Sequence, residues 1–215
     1  MKGIADSGEK VSFAGFVLAG GKSSRMGRDK ALLEIDCIPM ISRAVRLVES
    51  ATGGAATVVG APQTFREFGF EVVADDWPGA GPLGGIATAL RVTNSEWNLI
   101  LACDLPYLTS EWLAYLIHRV QASTADAALA INDHGTEPLC AMYRKACEPL
   151  VRDAVANGRL KVQDCIAELR RLGRLECVEP SEWKAFDSDG TLFKNMNLPQ
   201  DYEDAKARFG GRAIL

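Results

Sequence analysis

Histidine is scarce in this chain of 215 residues: only His118 and His134 occur. The six cysteines, at 37, 103, 140, 147, 165 and 177, never fall in Cys-x-x-Cys spacing. Zinc sites draw on these two residue types at short, regular intervals, so this inventory argues against a zinc protein. Scattered thiols with no leader-like segment ahead of them are expected to stay reduced, which points to a cytoplasmic protein. No apolar run approaches the ~20 residues that cross a bilayer, so no membrane partner is expected. Excess positive charge is also missing, with 24 Lys and Arg against 28 Asp and Glu and a net charge of −4. Neutralising a phosphate backbone needs a basic surface, so no nucleic-acid partner is expected either. What remains is an ordinary globular balance, 47% hydrophobic and 24% charged, in a chain long enough for one large core.

Buried runs alternate with helical periods through the first half. Phe13–Leu18, Thr57–Val59, Glu71–Val73 and Asn98–Ala102 read as strands. Ile38–Glu49, with apolar residues at Ile38, Ile41, Val45 and Val48, reads as a helix. Thr64–Phe68 reads as a helical turn, Ile86–Arg91 as a helix, and Ser110–Gln121 as a helix capped by Thr109 or Ser110. Strands this apolar belong to a parallel sheet covered on both faces. Past Asp126 the rhythm changes. Ala127–Ile131 and Pro138–Tyr143 flank the turn NDHG and predict antiparallel pairing. Helices follow over Lys145–Ala156 and Val162–Arg170, then a short strand at Glu176–Val178 and a terminal helix over Gln200–Arg208. No repeat or linker interrupts the chain. The expectation is a flexible N-terminal extension over 1–10 and a single α/β domain over 11–215. Its sheet is mostly parallel, sandwiched between helices, with an antiparallel part in the C-terminal half.

Positive charge is concentrated locally in Leu18-Ala-Gly-Gly-Lys-Ser-Ser-Arg-Met-Gly-Arg-Asp-Lys30. A P-loop ending at Gly21-Lys22-Ser23 needs its first glycine at position 16, which is Phe16. The dinucleotide fingerprint fails too, because Gly20 and Gly21 are adjacent and the next glycine is Gly27. Adjacent glycines still let backbone N–H groups converge on an anion. Arg25 offers a planar fork for phosphate oxygens, and Lys30 can reach back over a triphosphate as a point charge. Transfer of a phosphorus group also calls for a magnesium ion and a carboxylate to hold it. Leu101-Ala-Cys-Asp-Leu-Pro106 supplies Asp104, just past the carboxyl end of the most apolar strand, where open α/β sheets bind ligands.

The first segment resembles the Leu-Ala-Gly-Gly/Ala-x-x-x-Arg-Met-Gly-x-x-Lys signature of nucleotidyltransferases. In its Gly-Gly form, ending in Asp-Lys, it is most similar to the molybdenum cofactor guanylyltransferase family. That resemblance implies the nucleotide-diphospho-sugar transferase type of fold and transfer of GMP from Mg-GTP to molybdopterin. It implies nucleotide contacts from Leu18, Ala19, Gly20, Gly21 and Lys30, and a catalytic set of Arg25, Lys30 and Asp104. Asp75 falls in register with the family's nucleotide-contacting aspartate ahead of Gly81-Pro-Leu-Gly-Gly85. Gly81 and Gly85 would let backbone lie against the base and ribose. Glu137-Pro-Leu-Cys-Ala-Met-Tyr143 resembles the family's x-Pro-Leu-hydrophobic-Ala-x-Tyr strand. Phe193-Lys-Asn-Met-Asn-Leu-Pro199 resembles its Phe-x-Asn-x-Asn-Thr-Pro motif. By resemblance, Asn195 and Asn197 approach the metal or the acceptor phosphate, Asp104 and Asn197 are the metal ligands, and Arg159 and Lys161 meet the acceptor's anionic groups.

On this reading 11–125 is the nucleotide-binding half and 126–215 the acceptor-binding half, and partners that handle the cofactor are conceivable. No histidine falls near a proposed site segment, which suits an anionic phosphate nucleophile that needs no strong base. Three departures stand out: Leu198 for the usual Thr, Cys37 in a hairpin that commonly holds Gly, and Gly60 where some relatives place Asn. Two other readings stay open. One is a related enzyme with another base or acceptor, such as a cytidylyltransferase of molybdopterin or of a sugar or isoprenoid phosphate. The other is a non-catalytic nucleotide-binding adaptor.

Overall fold

The computed structural model describes residues 11–20 and 29–209. The extension over 1–10, together with Gly21 and Arg25 of the glycine loop, lies outside them.

Seven strands form one sheet in the order β5-β4-β1-β6-β8-β7-β9. They are β1 (Phe13–Ala19), β4 (Ala56–Gly60), β5 (Glu71–Val73), β6 (Trp97–Ala102), β7 (Ala127–Asn132), β8 (Gly135–Arg144) and β9 (Leu175–Val178). Pairing is parallel from β5 through β6 and again between β7 and β9; β8 alone runs the other way, antiparallel to both neighbours. The helices are α1 (Met40–Thr52), α2 (Pro62–Phe65), α3 (Pro82–Val92), α4 (Ser110–Val120), α5 (Glu148–Ala156), α6 (Val162–Arg171), α7 (Pro180–Trp183) and α8 (Pro199–Phe209). Buried side chains of α1 and α4 pack on one face of the sheet and those of α3, α5 and α6 on the other. Both faces are therefore dry, as the unbroken apolar strands require.

A hairpin of β2 (Glu34–Ile35) and β3 (Ile38–Pro39) stands apart from the main sheet. Its turn residues Asp36 and Cys37 both have positive φ, 52° and 58°, as a tight two-residue hairpin demands. Because Ile38 and Pro39 are spent on that hairpin, α1 starts at Met40 rather than Ile38. In the other direction α3 begins at Pro82, earlier than the periodic segment from Ile86, because Pro suits a first helical turn. Gly84 and Gly85 belong to that turn. A Cβ on Gly84 would lie 2.9 Å from the Trp77 carbonyl oxygen, and one on Gly85 would lie 3.1 Å from Leu18 Cδ2. Their reason in this fold is close packing against the preceding loop and β1. Gly60 has a similar cause, since a Cβ there would sit 2.6 Å from the Ala19 carbonyl oxygen.

The order of connections places the site. From β1 the chain moves outward to β4 and β5, then returns to β6 on the other side of β1. The carboxyl ends of β1 and β6 are thus the topological switch point where ligands of open α/β sheets bind. The glycine loop leaves one of these ends and Asp104 follows the other.

Candidate active site

Lys30 opens a 3-10 turn, Lys30–Leu32, whose cap is Asp29; the Asp29 carboxylate accepts from the Ala31 N–H at 3.0 Å. Ala31 is buried in the core, so the turn is fastened at both sides of its backbone. Asp104 is placed by extension of the β1–β6 ladder: the Cys103 N–H donates to the Leu18 carbonyl at 3.4 Å. The Asp104 carbonyl in turn accepts from the Met196 N–H at 2.9 Å. Met196 is almost completely buried, in a small cluster with Leu33, Ile35, Met40, Tyr107 and Ala205. The alternation Asn195-Met196-Asn197 thus plants one apolar side chain and leaves both amide residues exposed. Leu198 lacks the hydroxyl that would cap α8, but Asp201 reaches back to the Asn197 and Leu198 N–H groups at 3.0 and 2.8 Å. That is the N3 half of a capping box.

These anchors bring three distant side chains together. Lys30 Nζ donates to Asn197 Oδ1 at 2.6 Å and lies 3.8 Å from Asp104 Oδ2. Burial pushes the Asp104 carboxyl above its ordinary range, and the Lys30 ammonium only partly offsets this. The neighbouring Cys103 thiol is raised too, by burial first and then by the Asp104 charge, so it stays protonated.

Two hollows flank the trio. The smaller, ≈ 190 Å³, is lined by Leu18, Gly20, Lys30, Pro82, Asp104 and Leu139 among others. The larger, ≈ 700 Å³, includes Asn132, His134, Glu137, Trp183, Asn195 and Asn197 in its lining. Residues of the first half dominate the one and residues past 126 line the other. Strand β8 contributes to both, through Leu139 and Glu137.

Their separation has a cause in the β8 backbone. Leu129 pairs with Ala141 and Ile131 with Thr136, so Ala130 alone faces Glu137, Pro138, Leu139 and Cys140. This is an extended bulge, the device by which a sheet re-aims side chains beside a site. Pro138, unable to donate to a ladder, suits it. The Tyr143 hydroxyl donates to the Pro138 carbonyl at 2.8 Å, so the Tyr of the x-Pro-Leu-hydrophobic-Ala-x-Tyr pattern pins its own Pro.

Other expected site residues fall elsewhere. Asp75 is half-buried and absent from the lining of the smaller hollow. Its Oδ1 accepts from the Trp77 N–H at 2.9 Å and lies 3.1 Å from the Thr88 hydroxyl, so it shapes the loop that enters α3. Gly81 is exposed at the start of α3, whereas Gly85 is buried. Arg159 lines a separate hollow with Asp153, Asp164, Cys165 and Glu168, and this hollow shares no residue with the larger cleft. Lys161 is exposed at the N-cap of α6 and lines neither. One expectation is corrected outright. His134 does lie near a site segment, in the same cleft as Asn195 and Asn197. The sequence marked NDHG only as a turn and Glu137 only as the variable position of a motif. Their meeting with Trp183 and Lys184 depends on α7, a helix too short to leave a periodic signal.

No helix among the described residues is long and apolar enough to cross a membrane. The described residues hold no cluster of three or more His, Cys, Asp or Glu suited to a metal ion. All six cysteines are unpaired.

Comparison with known proteins gives the family and the fold. Residues 15–172 match the MobA-like NTP transferase domain. The probable molybdenum cofactor guanylyltransferase of Pelotomaculum thermopropionicum is 31% identical over 192 residues, covering 89% of this chain and 91% of that protein. The counterpart from Synechococcus elongatus is 32% identical, covering 81% of this chain and 98% of its own. Among solved structures, molybdopterin-guanine dinucleotide biosynthesis protein A from Archaeoglobus fulgidus superposes with a TM-score of 0.78 at 22% identity, over 93% of this chain and 100% of that one. A nucleotidyl transferase from Methanothermobacter thermautotroptrophicus gives a TM-score of 0.72 at 20% identity, over 92% and 97%. These structures share the nucleotidyltransferase fold. With its family match spanning most of the sheet, the chain belongs to the MobA-like NTP transferase domain family and is a nucleotidyltransferase.

Proposed function

We propose that the protein transfers GMP from GTP to the terminal phosphate of molybdopterin and releases pyrophosphate. The single observation that carries this reading is Lys30, bonded to Asn197 and beside Asp104, where a first-half hollow meets a cleft from the second half. The names of relatives at about the same length support the base and the acceptor. In this reading residues 11–125 form the nucleotide half and 126–215 the acceptor half of one domain. Leu18, Ala19, Gly20, Gly21 and Gly81 approach the nucleotide, with Arg25 and Lys30 on its phosphates. Asp75 acts by shaping the loop under it.

An oxygen of the acceptor's phosphate monoester attacks the α-phosphorus of GTP. The bond from that phosphorus to the bridging oxygen breaks, and pyrophosphate leaves with the electron pair. A monoester is already anionic at neutral pH, so His134 need not act as a base. Lys30 offsets charge on the phosphates, and Asn197 donates from its amide nitrogen to the incoming phosphate. The rate gain comes from orientation and fixed charge.

The donor set also fits a divalent cation. Asp104 and Asn197 both offer oxygen, the ligand that magnesium takes, and both oxygens already converge on one positive charge, the Lys30 ammonium. Bound there, Mg²⁺ would supply charge neutralisation at the α-phosphate.

The reading is tested by pyrophosphate release with purified protein, molybdopterin and GTP, CTP, UTP or ATP in turn. Release with GTP alone among the four, dependent on both acceptor and Mg²⁺, is expected. Release with CTP would move the protein to the cytidylyltransferases. GTP binding with no release, while an active relative turns over in parallel, would leave only an adaptor.

A further inference from the structure

The larger cleft holds a feature that an anion-binding site does not call for. Glu137 puts a half-buried carboxylate into it, beside the residues assigned to a phosphate acceptor. The two lysines of the same lining do not neutralise it. Lys194 is engaged by Asp204 at 3.1 Å and Asp201 at 3.7 Å, and Lys184 makes no ion pair with Glu137 among the described residues. Instead Asn132 Nδ2 donates to Glu137 Oε1, and Asn132 Oδ1 accepts from the His134 backbone N–H at 2.8 Å. The amide is thereby held in one orientation, and it fixes the carboxylate in turn. Glu137 Oε2 has no hydrogen-bond partner among the described residues. Burial raises the Glu137 carboxyl, with only Asn132 and the nearby His134 acting the other way.

A carboxylate fixed in this manner repels a phosphate but suits a neutral group with adjacent N–H donors. The rest of the cleft suits the same ligand. Trp183 and Phe193 supply apolar lining, edge to face with centroids 5.1 Å apart. The volume, ≈ 700 Å³, lies in the range that takes a drug-sized heterocycle. Asn197, part of the same lining, is the residue that meets Lys30.

We propose that Glu137, oriented by Asn132, reads the ring edge of the acceptor: a planar heterocycle with a ring N–H beside an exocyclic amino group, as in a 2-amino-4-oxo pterin. This rests on the acceptor reading of the cleft given above. The acceptor then lies with its ring toward Glu137 and the aromatic lining, and its phosphate toward Asn197 and Lys30. The bulge in β8 exists on this account to separate the two jobs, since it turns Glu137 into one hollow and Leu139 into the other.

The experiment compares binding of pterin and of lumazine, which has oxygen in place of the 2-amino group, to wild-type protein by ligand fluorescence. Removing a charge-assisted contact costs roughly 10- to 100-fold in affinity, so pterin should bind more tightly than lumazine by about that factor. In Glu137→Gln and in Asn132→Ala the preference should vanish, while the GTP Kd and thermal midpoint stay near wild type. In the transfer assay Glu137→Gln should raise the KM for molybdopterin and leave the KM for GTP alone. Equal binding of pterin and lumazine to wild type, or failure of wild type to bind either, overturns the proposal and needs no variant. Unchanged preference in a folded Glu137→Gln protein overturns it as well. If wild type transfers GMP but Glu137→Gln behaves identically, this inference alone fails; if wild type transfers nothing to molybdopterin, the acceptor reading fails first.

Discussion

The two hollows are built differently. The smaller rests on the ends of adjacent parallel strands, with Gly20 one residue past β1 and Asp104 two past β6. The larger is assembled from a bulged antiparallel strand, a short helix after β9 and the segment before α8. A site on strand ends inherits its geometry from the sheet ladder. A site gathered from remote segments needs its own fasteners, here the Tyr143–Pro138 bond, the buried Met196 and the Asp201 cap. Damage on the first side should therefore act on chemistry, and damage on the second on acceptor affinity.

The largest effect expected is from Asp104→Asn. It removes the carboxylate that faces Lys30 at the junction and should lower turnover by about 10³-fold, in line with the loss of a fixed electrostatic group. The same change should stabilise the fold. Burial raises the folded-state pKa of Asp104, so ionisation costs stability above that value, and the cost disappears as pH falls through it. In metal-free buffer the variant should melt above wild type at neutral pH, and the difference should shrink on acidification. Identical melting at every pH would contradict the strain assigned to that carboxylate.

Next in size is Met196→Ala. Deleting a buried Met side chain costs about 2–5 kcal/mol, and here it also loosens Asn195 and Asn197. Chemical denaturation should show the loss, and the KM for molybdopterin should rise more than that for GTP. Tyr143→Phe is the sharper instrument, since it removes one buried hydroxyl bond worth about 1 kcal/mol and frees the bulge. If it raises the KM for GTP as much as that for molybdopterin, β8 does not divide the two hollows. The smallest effect belongs to Cys37→Gly. A left-handed residue with a side chain costs about 1–2 kcal/mol, and added glycine entropy in the unfolded chain takes back about 0.5–1. A gain of about 0.5–1 kcal/mol is expected in equilibrium unfolding, with kinetics untouched.

The same contrast explains what could be read from the sequence. Lys30 and Asp104 were legible because each lies in a loop whose residue types suit a phosphate or a metal, Asn197 only through its resemblance to a family motif, and strands such as Phe13–Leu18 because their runs are apolar. Helix starts were blurred by local chemistry: Pro39, read as part of a helix, ends a hairpin, and Pro82, read as part of a loop, starts a helix. Arg159 shows the limit of a motif-based role. Its turn lies between α5 and α6, but its side chain joins the acidic lining of Asp153, Asp164 and Glu168. The cleft of Asn132, His134, Glu137 and Trp183 was illegible because its members become neighbours only through the β8 bulge and the docking of α7. No period or spacing encodes such a meeting.

The most direct test of the junction is the Asn197→Ala variant, assayed for GTP affinity and for transfer of label from α-labelled GTP to molybdopterin. If Lys30 and Asn197 join a nucleotide site to an acceptor site, GTP should bind within roughly threefold of wild type while transfer falls by about 10²-fold. Transfer at the wild-type rate, or loss of GTP binding in step with transfer, would contradict the account.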